Sequence, residues 1–326
     1  MNELYPMKFT PLFKDKIWGG KKINSALGLD YGTLPNCGEA WMISGVEENE
    51  TLVSNGYLEG NSINELVEVY MGDLVGDKVF EQYGTEFPLL IKFLDSNDWL
   101  SIQVHPEDEL AQKLQVGRGK TEMWYILEAE KDAELIIGFN RKLSREEYLD
   151  YFNRKKLTDI LNFEKVEKGD VFYIPAGRVH SLGPGILLAE IQQTSDATFR
   201  IYDWDRMDAA GMQRELHTDM ALKALDFDLY DDYKINYKEK KNKTVSLVES
   251  PYFSTSLLAF DKPVTKNFEE LDSFVVYMCV EGRVVVKSGT GKTELRMGEV
   301  VLVPNAVEEI TIEPLGKAKL LEIYIV

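Results

Sequence analysis

Along most of this chain the apolar residues come in short runs closed by glycine or proline, and that rhythm limits the fold more than any other feature. The runs "PLLIKFLD", "LSIQVH", "MWYILEAE", "AELIIGF", "DVFYIP", "ILLAEIQQTS" and "FRIYDW" are followed by a later group, "FVVYMCV", "RVVVKSG", "VVLVP" and "KLLEIYIV". Short apolar runs bounded by turn residues make strands, and many of them in succession point to a sandwich or barrel. At 326 residues and 44% hydrophobic, the chain can bury one large core or two.

Two stretches leave this rhythm. In "NSINELVEVYMGDLVGDKVFEQYG", Ser62 and Glu65 form a capping box, and Ile63, Leu66, Val67, Tyr70 and Leu74 share one helical face. In "LSREEYLDYFNRKKLTDILNF", Ser144 and Glu147 form the box and Tyr148, Tyr151 and Phe152 the buried stripe. A third helix is expected after His217, in "TDMALKALDF". Near 235–245 the sequence turns to "INYKEKKNKTVS", polar and without apolar periodicity, which marks a boundary. The expected organisation is a unit of residues 1–240, with helical insertions at about 62–84 and 144–162, and a second unit of residues 241–326.

A net charge of −18, with Lys and Arg not gathered in one block, argues against a nucleic-acid partner. An anionic ligand would need a local basic site to overcome that field. No apolar run is long enough to span a membrane, and the N-terminus lacks the basic flank and apolar block of a signal peptide. Cys37 and Cys279 lie far apart without metal spacing and read as packing residues in a reducing compartment. A cytoplasmic address is expected.

A spacing recurs at two distant places. "GDVFYIPAGRVH" sets Gly169, Pro175, Gly177 and His180 in order, and "GEVVLVPNAVE" repeats it from Gly298 to Pro304, with Ala306 for the second glycine and no histidine following. Glycine opens a turn into a buried strand, and proline, which cannot donate to a ladder, ends it. The copy at 169–180 resembles the metal-binding strand and Pro-x-Gly turn of the cupin superfamily, and the copy at 298–308 resembles the same turn with its ligand lost. The expected fold is therefore mainly β, two cupin-like jelly-roll barrels with a few helical insertions, the first active and the C-terminal one degenerate.

In "LSIQVHP", alternation places Ser101, Gln103 and His105 on one face and Leu100, Ile102 and Val104 on the other. Gln103 and His105 can then offer an oxygen and a nitrogen to one ion, and His180 a second nitrogen. A carboxylate would complete a site for zinc or a similar cation. Glu109 has the shorter spacing, but it follows Pro106 in what reads as the first turn of a solvated helix. Glu122 opens the strand "EMWYIL" and is favoured.

Longer strings point further. "FPLLIKFLDSNDWLSIQVHPEDELA", "GKTEMWYIL", "PAGRVHSLGPGILLAEIQQTSDATFRIYDWDR", "IWGG" and "GEAWMIS" resemble, in order and over nearly the whole chain, the type I mannose-6-phosphate isomerases of the short bacterial form. The resemblance implies a zinc aldose–ketose isomerase with one Zn2+ per chain, acting on a small-molecule sugar phosphate as a monomer or weak homo-oligomer. It implies the ligands Gln103, His105, Glu122 and His180, a catalytic Arg200, and the active-site residues Lys120 and Asp196. Ser101, on the metal-facing side of its strand, and Trp18 are further candidates for contact with the sugar phosphate. Thr198, Arg200 and Tyr202 are expected on one strand face, and Asp196 to orient Arg200 or Lys120. The competing expectations are an iron cupin oxygenase, because two histidines and a carboxylate also describe that site, and a sugar-binding cupin without turnover.

Overall fold

In the computed structural model, which describes residues 3–207 and 211–326, the short runs become antiparallel strands in two pairs of sheets. The N-terminal pair has a six-stranded sheet, in spatial order Val171–Ile174, Glu122–Ala129, Ile186–Gln193, Leu89–Ser96, Glu39–Ile43 and Leu12–Lys14. Facing it is a five-stranded sheet of Phe199–Tyr202, Ile102–Val104, His180–Leu182, Glu134–Phe139 and Leu161–Lys165. The C-terminal pair consists of a five-stranded sheet running from Lys243–Glu249 to Val300–Val303 and a four-stranded sheet running from Val264–Asn267 to Gly291–Arg296. No helix among the described residues is long and apolar enough to cross a membrane.

Alternation distributes the side chains of each strand between layers. Trp124 and Ile126 face the inner core of the first sheet pair, while Met123, Tyr125 and Leu127 face away from it. These outward residues meet Val276, Met278, Leu321 and Ile323 of the second pair, so the two larger sheets pack back to back in one continuous core. The second pair encloses its own core around Tyr277, Val284 and Ile312. On the far side of the first pair, Ile102, Val104, Phe139 and Ile201 pack under Tyr148 and Ala221 of the helices Arg145–Asn153 and Thr218–Ala224. The helix expected after His217 is thus present.

Both capping boxes form. The first helical stretch, however, is interrupted, and the second is shorter than the periodicity suggests. The first breaks at Met71 (φ 47°) and again at Gly76, giving Ile63–Tyr70, Gly72–Val75 and Asp77–Tyr83, so Leu74 belongs to a different turn from Leu66. The break leaves carbonyls that the second sheet pair satisfies. Ala306 N–H donates to Asp73 O (2.8 Å), Asn305 N–H to Leu74 O (3.0 Å) and Phe274 N–H to Val75 O (3.2 Å). The second stretch is α-helical only over Arg145–Asn153. After Lys155 (φ 55°) it becomes a 3-10 turn, Leu157–Ile160, and then an edge strand from Leu161, not a helix reaching 162.

Candidate metal centre

Three strand contacts bring the distant motifs together. Gln103 lies opposite His180 on one side and opposite Arg200 on the other, within one sheet. Glu122 belongs to the facing sheet, between Ile174 and Gln192. The turn at Gly177 (φ 88°) donates its N–H to His105 O (2.9 Å), which holds the end of the His105 strand against the turn leading into His180. One ligand atom from each of His105, Glu122 and His180 then falls within 4.8 Å of the others, and all three residues are buried.

The protonation of this trio follows from its partners. His105 Nδ1 is 2.8 Å from Ala197 O and His180 Nδ1 is 2.9 Å from Arg178 O; a carbonyl can only accept, so both Nδ1 atoms carry the proton. Burial holds His105 well below its ordinary pKa and pushes His180 down to about 4, with Lys120 adding to both, so the rings are neutral. Each Nε2 therefore presents a lone pair towards a carboxylate. His180 Nε2 is 3.2 Å from Glu122 Oε1 and His105 Nε2 is 3.5 Å from Glu122 Oε2, with no proton to share. His105 Nε2 and both Glu122 oxygens are buried without a hydrogen-bond partner. Such atoms are rarely left unsatisfied, and a cation among them answers all of them at once. Two imidazoles and one carboxylate are a donor set suited to zinc with a position left open.

Gln103 touches this centre through its amide. Its Nε2 lies 3.2 Å from His180 Nε2, and its Oε1 accepts from Ser101 Oγ at 3.3 Å. Glu109 stays in the first turn of the exposed helix Asp108–Leu114.

A cavity of about 250 Å3 opens onto the trio, lined by Trp18, Ser101, Gln103, Lys120, Glu122, Asp196 and Arg200 among others. All the candidates except the two buried histidines thus line one space. Three local expectations change. Leu100 lines the cavity with Ser101 instead of pointing away, because regular pairing begins only at Ile102. A register shift between Arg200 and Tyr202 turns Tyr202 out of the cavity that Thr198 and Arg200 share. Asp196 is exposed, and no hydrogen bond or ion pair among the described residues joins it to Arg200 or Lys120.

Residues not singled out from the sequence also line the cavity: Lys16, Lys92, Glu190 and Arg214. Lys92 and Glu190 face each other across neighbouring strands, with Nζ 3.3 Å from Glu190 Oε2 and 3.9 Å from Glu39 Oε2. Burial opposes the Lys92 charge, yet Glu190 and Glu39 outweigh it and raise its pKa. Burial likewise works against the Glu39 carboxylate, but Lys92 and Lys16 bring it down to about 2. Glu190 moves the other way, pushed up to about 7 by burial and then by Glu122. The signal in the sequence was a single charge inside each apolar run, "LLIKFL" and "LLAEIQ".

Residues 7–140 match the family model described as phosphomannose isomerase type I, catalytic domain, and residues 243–325 that of the mannose-6-phosphate isomerase cupin domain. Mannose-6-phosphate isomerase ManA of Bacillus subtilis is 35% identical over 94% of this chain and 96% of its own length. This chain belongs to the type I phosphomannose isomerase family. A mannose-6-phosphate isomerase of Streptococcus mutans is 33% identical, covering 90% of each chain. The crystal structure of the mannose 6-phosphate isomerase from Bacillus subtilis shares the architecture over 98% of this chain and 99% of its own, with a TM-score of 0.88 at 33% identity. Within the family's fold, the trio and its cavity lie between the sheets of the N-terminal pair.

Proposed function

We propose that this chain interconverts mannose 6-phosphate and fructose 6-phosphate, using one zinc ion held by His105, Glu122 and His180 with Gln103 as a fourth ligand. What supports this reading above all is that three cation-seeking side chains converge at the floor of a cavity lined by Lys120, Glu190 and Arg200, in a chain of this family. Gln103 contributes its carboxamide oxygen once the amide turns over, its nitrogen then donating to Ser101 Oγ. Zinc in that set supplies Lewis-acid polarisation of the sugar oxygens, on the order of several kcal/mol.

The remaining chemistry belongs to side chains. Isomerisation moves a proton between C1 and C2 of the open-chain sugar through an enediol-type intermediate. Glu190, buried in the cavity, takes the proton from one carbon and returns it to the other. Lys120, whose Nζ is 3.5 Å from Glu122 Oε2, donates to the sugar oxygens as their charge changes. Arg200 stays charged and holds the developing oxyanion without exchanging protons. Trp18 walls the sugar, and Ser101 and Asp196 bind its polar groups. Residues 1–240 form the catalytic unit in this reading and 241–326 a cupin-like module without a metal. The buried, unpaired Cys37 and Cys279 suit work in the cytoplasm.

The test is a coupled assay for fructose 6-phosphate formed from mannose 6-phosphate by the zinc-loaded protein. Turnover is expected, and a correctly folded, metal-loaded protein without it overturns the proposal.

A further inference from the structure

The cations of the cavity are unevenly matched. Each lysine lining it is answered by a carboxylate lining it too: Lys16 by Glu39 (3.1 Å), Lys92 by Glu190 (3.3 Å) and Lys120 by Glu122 (3.5 Å). The arginines are not. Arg200 and Arg214 both line the cavity, and Arg206 lies beside them, with Asp203 as the one buried carboxylate among the three in the described residues. Asp203 takes Arg214 in a two-pronged grip, Nε to Oδ2 at 2.7 Å and Nη2 to Oδ1 at 2.6 Å, and also accepts from Arg206 Nη2 at 2.6 Å. Arg206 has another, exposed partner in Asp98 at 3.5 Å. Arg200 gives Nη1 to Glu215 O (2.6 Å), and its Nε is buried without a partner.

The backbone is shaped around this grip. Trp204 (φ 58°) and Asp205 (φ 53°), two consecutive residues in the left-handed region, follow Asp203 directly and fold Arg206 back onto it. Trp204 Nε1 donates to Leu100 O (2.7 Å) and Tyr202 Oη to Asp205 Oδ2 (3.2 Å), fixing the turn. In a chain of net charge −18, three guanidinium groups gathered around Asp203 are a local basic cluster at the cavity's edge.

Resting on the reading of the cavity as a sugar-phosphate site, we propose that Arg214 recognises the phosphoryl group of the substrate, and that Asp203 is the positioning residue that aims the Arg214 guanidinium into the cavity. The grip on Nε and Nη2 leaves Nη1 of Arg214 without a protein acceptor among the described residues. A guanidinium held on Nε and Nη2 still offers the donors of Nη1 in a fixed direction, whereas each ammonium lining the cavity is a single nitrogen that already faces a carboxylate.

The experiment pairs steady-state kinetics on mannose 6-phosphate with calorimetric binding of inorganic phosphate, on zinc-loaded protein. Arg214→Ala is expected to raise KM and to weaken phosphate binding, each by about ten- to a hundred-fold, with a smaller change in kcat and unaltered zinc content. Arg214→Lys should fall between, keeping the charge but losing the fork. Asp203→Asn should shift KM and phosphate affinity in the same direction by a smaller factor, which a merely structural role would not reproduce once the thermal midpoint is matched. Wild-type protein that binds no phosphate, or an Arg214→Ala variant that keeps both KM and phosphate affinity within about twofold, overturns the proposal. Phosphate calorimetry needs no turnover, so failure of the isomerase reading shows separately, as a wild-type protein that binds phosphate through Arg214 yet converts no sugar.

Discussion

Glu190 carries the heaviest chemical load assigned to any single side chain, and it follows the apolar run Ile186–Ala189 in its strand. Glu190→Gln keeps the shape and removes the carboxylate, so kcat is expected to fall by about 10²–10⁴-fold while zinc measured on the purified variant stays at the wild-type level. Arg200→Ala should likewise lower turnover far more than metal content; loss of zinc there would give Arg200 a structural role. Lys92→Met leaves Glu190 and Glu39 buried without their common cation and is expected to cost about 3–5 kcal/mol in urea unfolding. The pH dependence has a definite sign. The folded pKa of Glu39 lies below its ordinary 4.5, so its contribution is present above that value and is lost as pH falls towards about 2; the variant should lose part of this acid-range dependence. The Gln103–His105 pair was legible because a polar residue at every second position of an apolar strand is visible in the sequence. Lys92 and Glu190 were not, because each is a lone charge until strand pairing sets them face to face.

The two large sheets share one strand order, and matching Pro175 with Pro304 sets their elements in correspondence. Val275 then stands where Glu122 does, Tyr277 for Trp124, Glu322 for Glu190 and Ser256 for Lys92. In the smaller sheets, the same count from the proline sets Glu309, exposed and opposite Asn267, where His180 stands opposite Gln103. The C-terminal module thus carries an apolar group at the position of Glu122 and an exposed carboxylate at that of His180, while Lys266 Nζ lies 2.7 Å from Glu322 Oε2. Gly177 needs its left-handed backbone and Ala306 has no such need, which is why the recurring turn could keep its proline and lose its glycine. Gly177→Ala is therefore expected to destabilise the protein by about 1–2 kcal/mol and to weaken zinc retention, because this turn holds His105 and His180 together. Ala306→Gly should leave zinc retention unchanged; equilibrium dialysis of both variants separates the two. The breaks inside the helical stretch at 62–84 were not legible, because tertiary partners decide them: the carbonyls of residues 73–75 are satisfied by the C-terminal module, which no local periodicity can reveal.

At the scale of the whole molecule, the back-to-back packing of the large sheets makes the C-terminal module part of the N-terminal one's stability. Met7 pairs with Leu302 through two hydrogen bonds (2.8 and 2.9 Å), tying the N-terminal segment to the far module as well. A chain ending at residue 240 would expose the faces of Met123, Tyr125 and Leu127 and is expected to lack a cooperative unfolding transition, as followed by circular dichroism. The mainly β organisation was readable from the short runs closed by glycine and proline, whereas the way the sheet pairs face each other depended on which side of every strand turned outward. All of this geometry serves one claim, that His105, Glu122 and His180 hold a single catalytic cation. The direct measurement is zinc titration into chelator-stripped protein, following bound metal and mannose 6-phosphate isomerisation in the same samples. Both should rise together and level off at one zinc per chain, whereas activity that persists in the stripped protein, or recovers without metal binding at this trio, would contradict the claim.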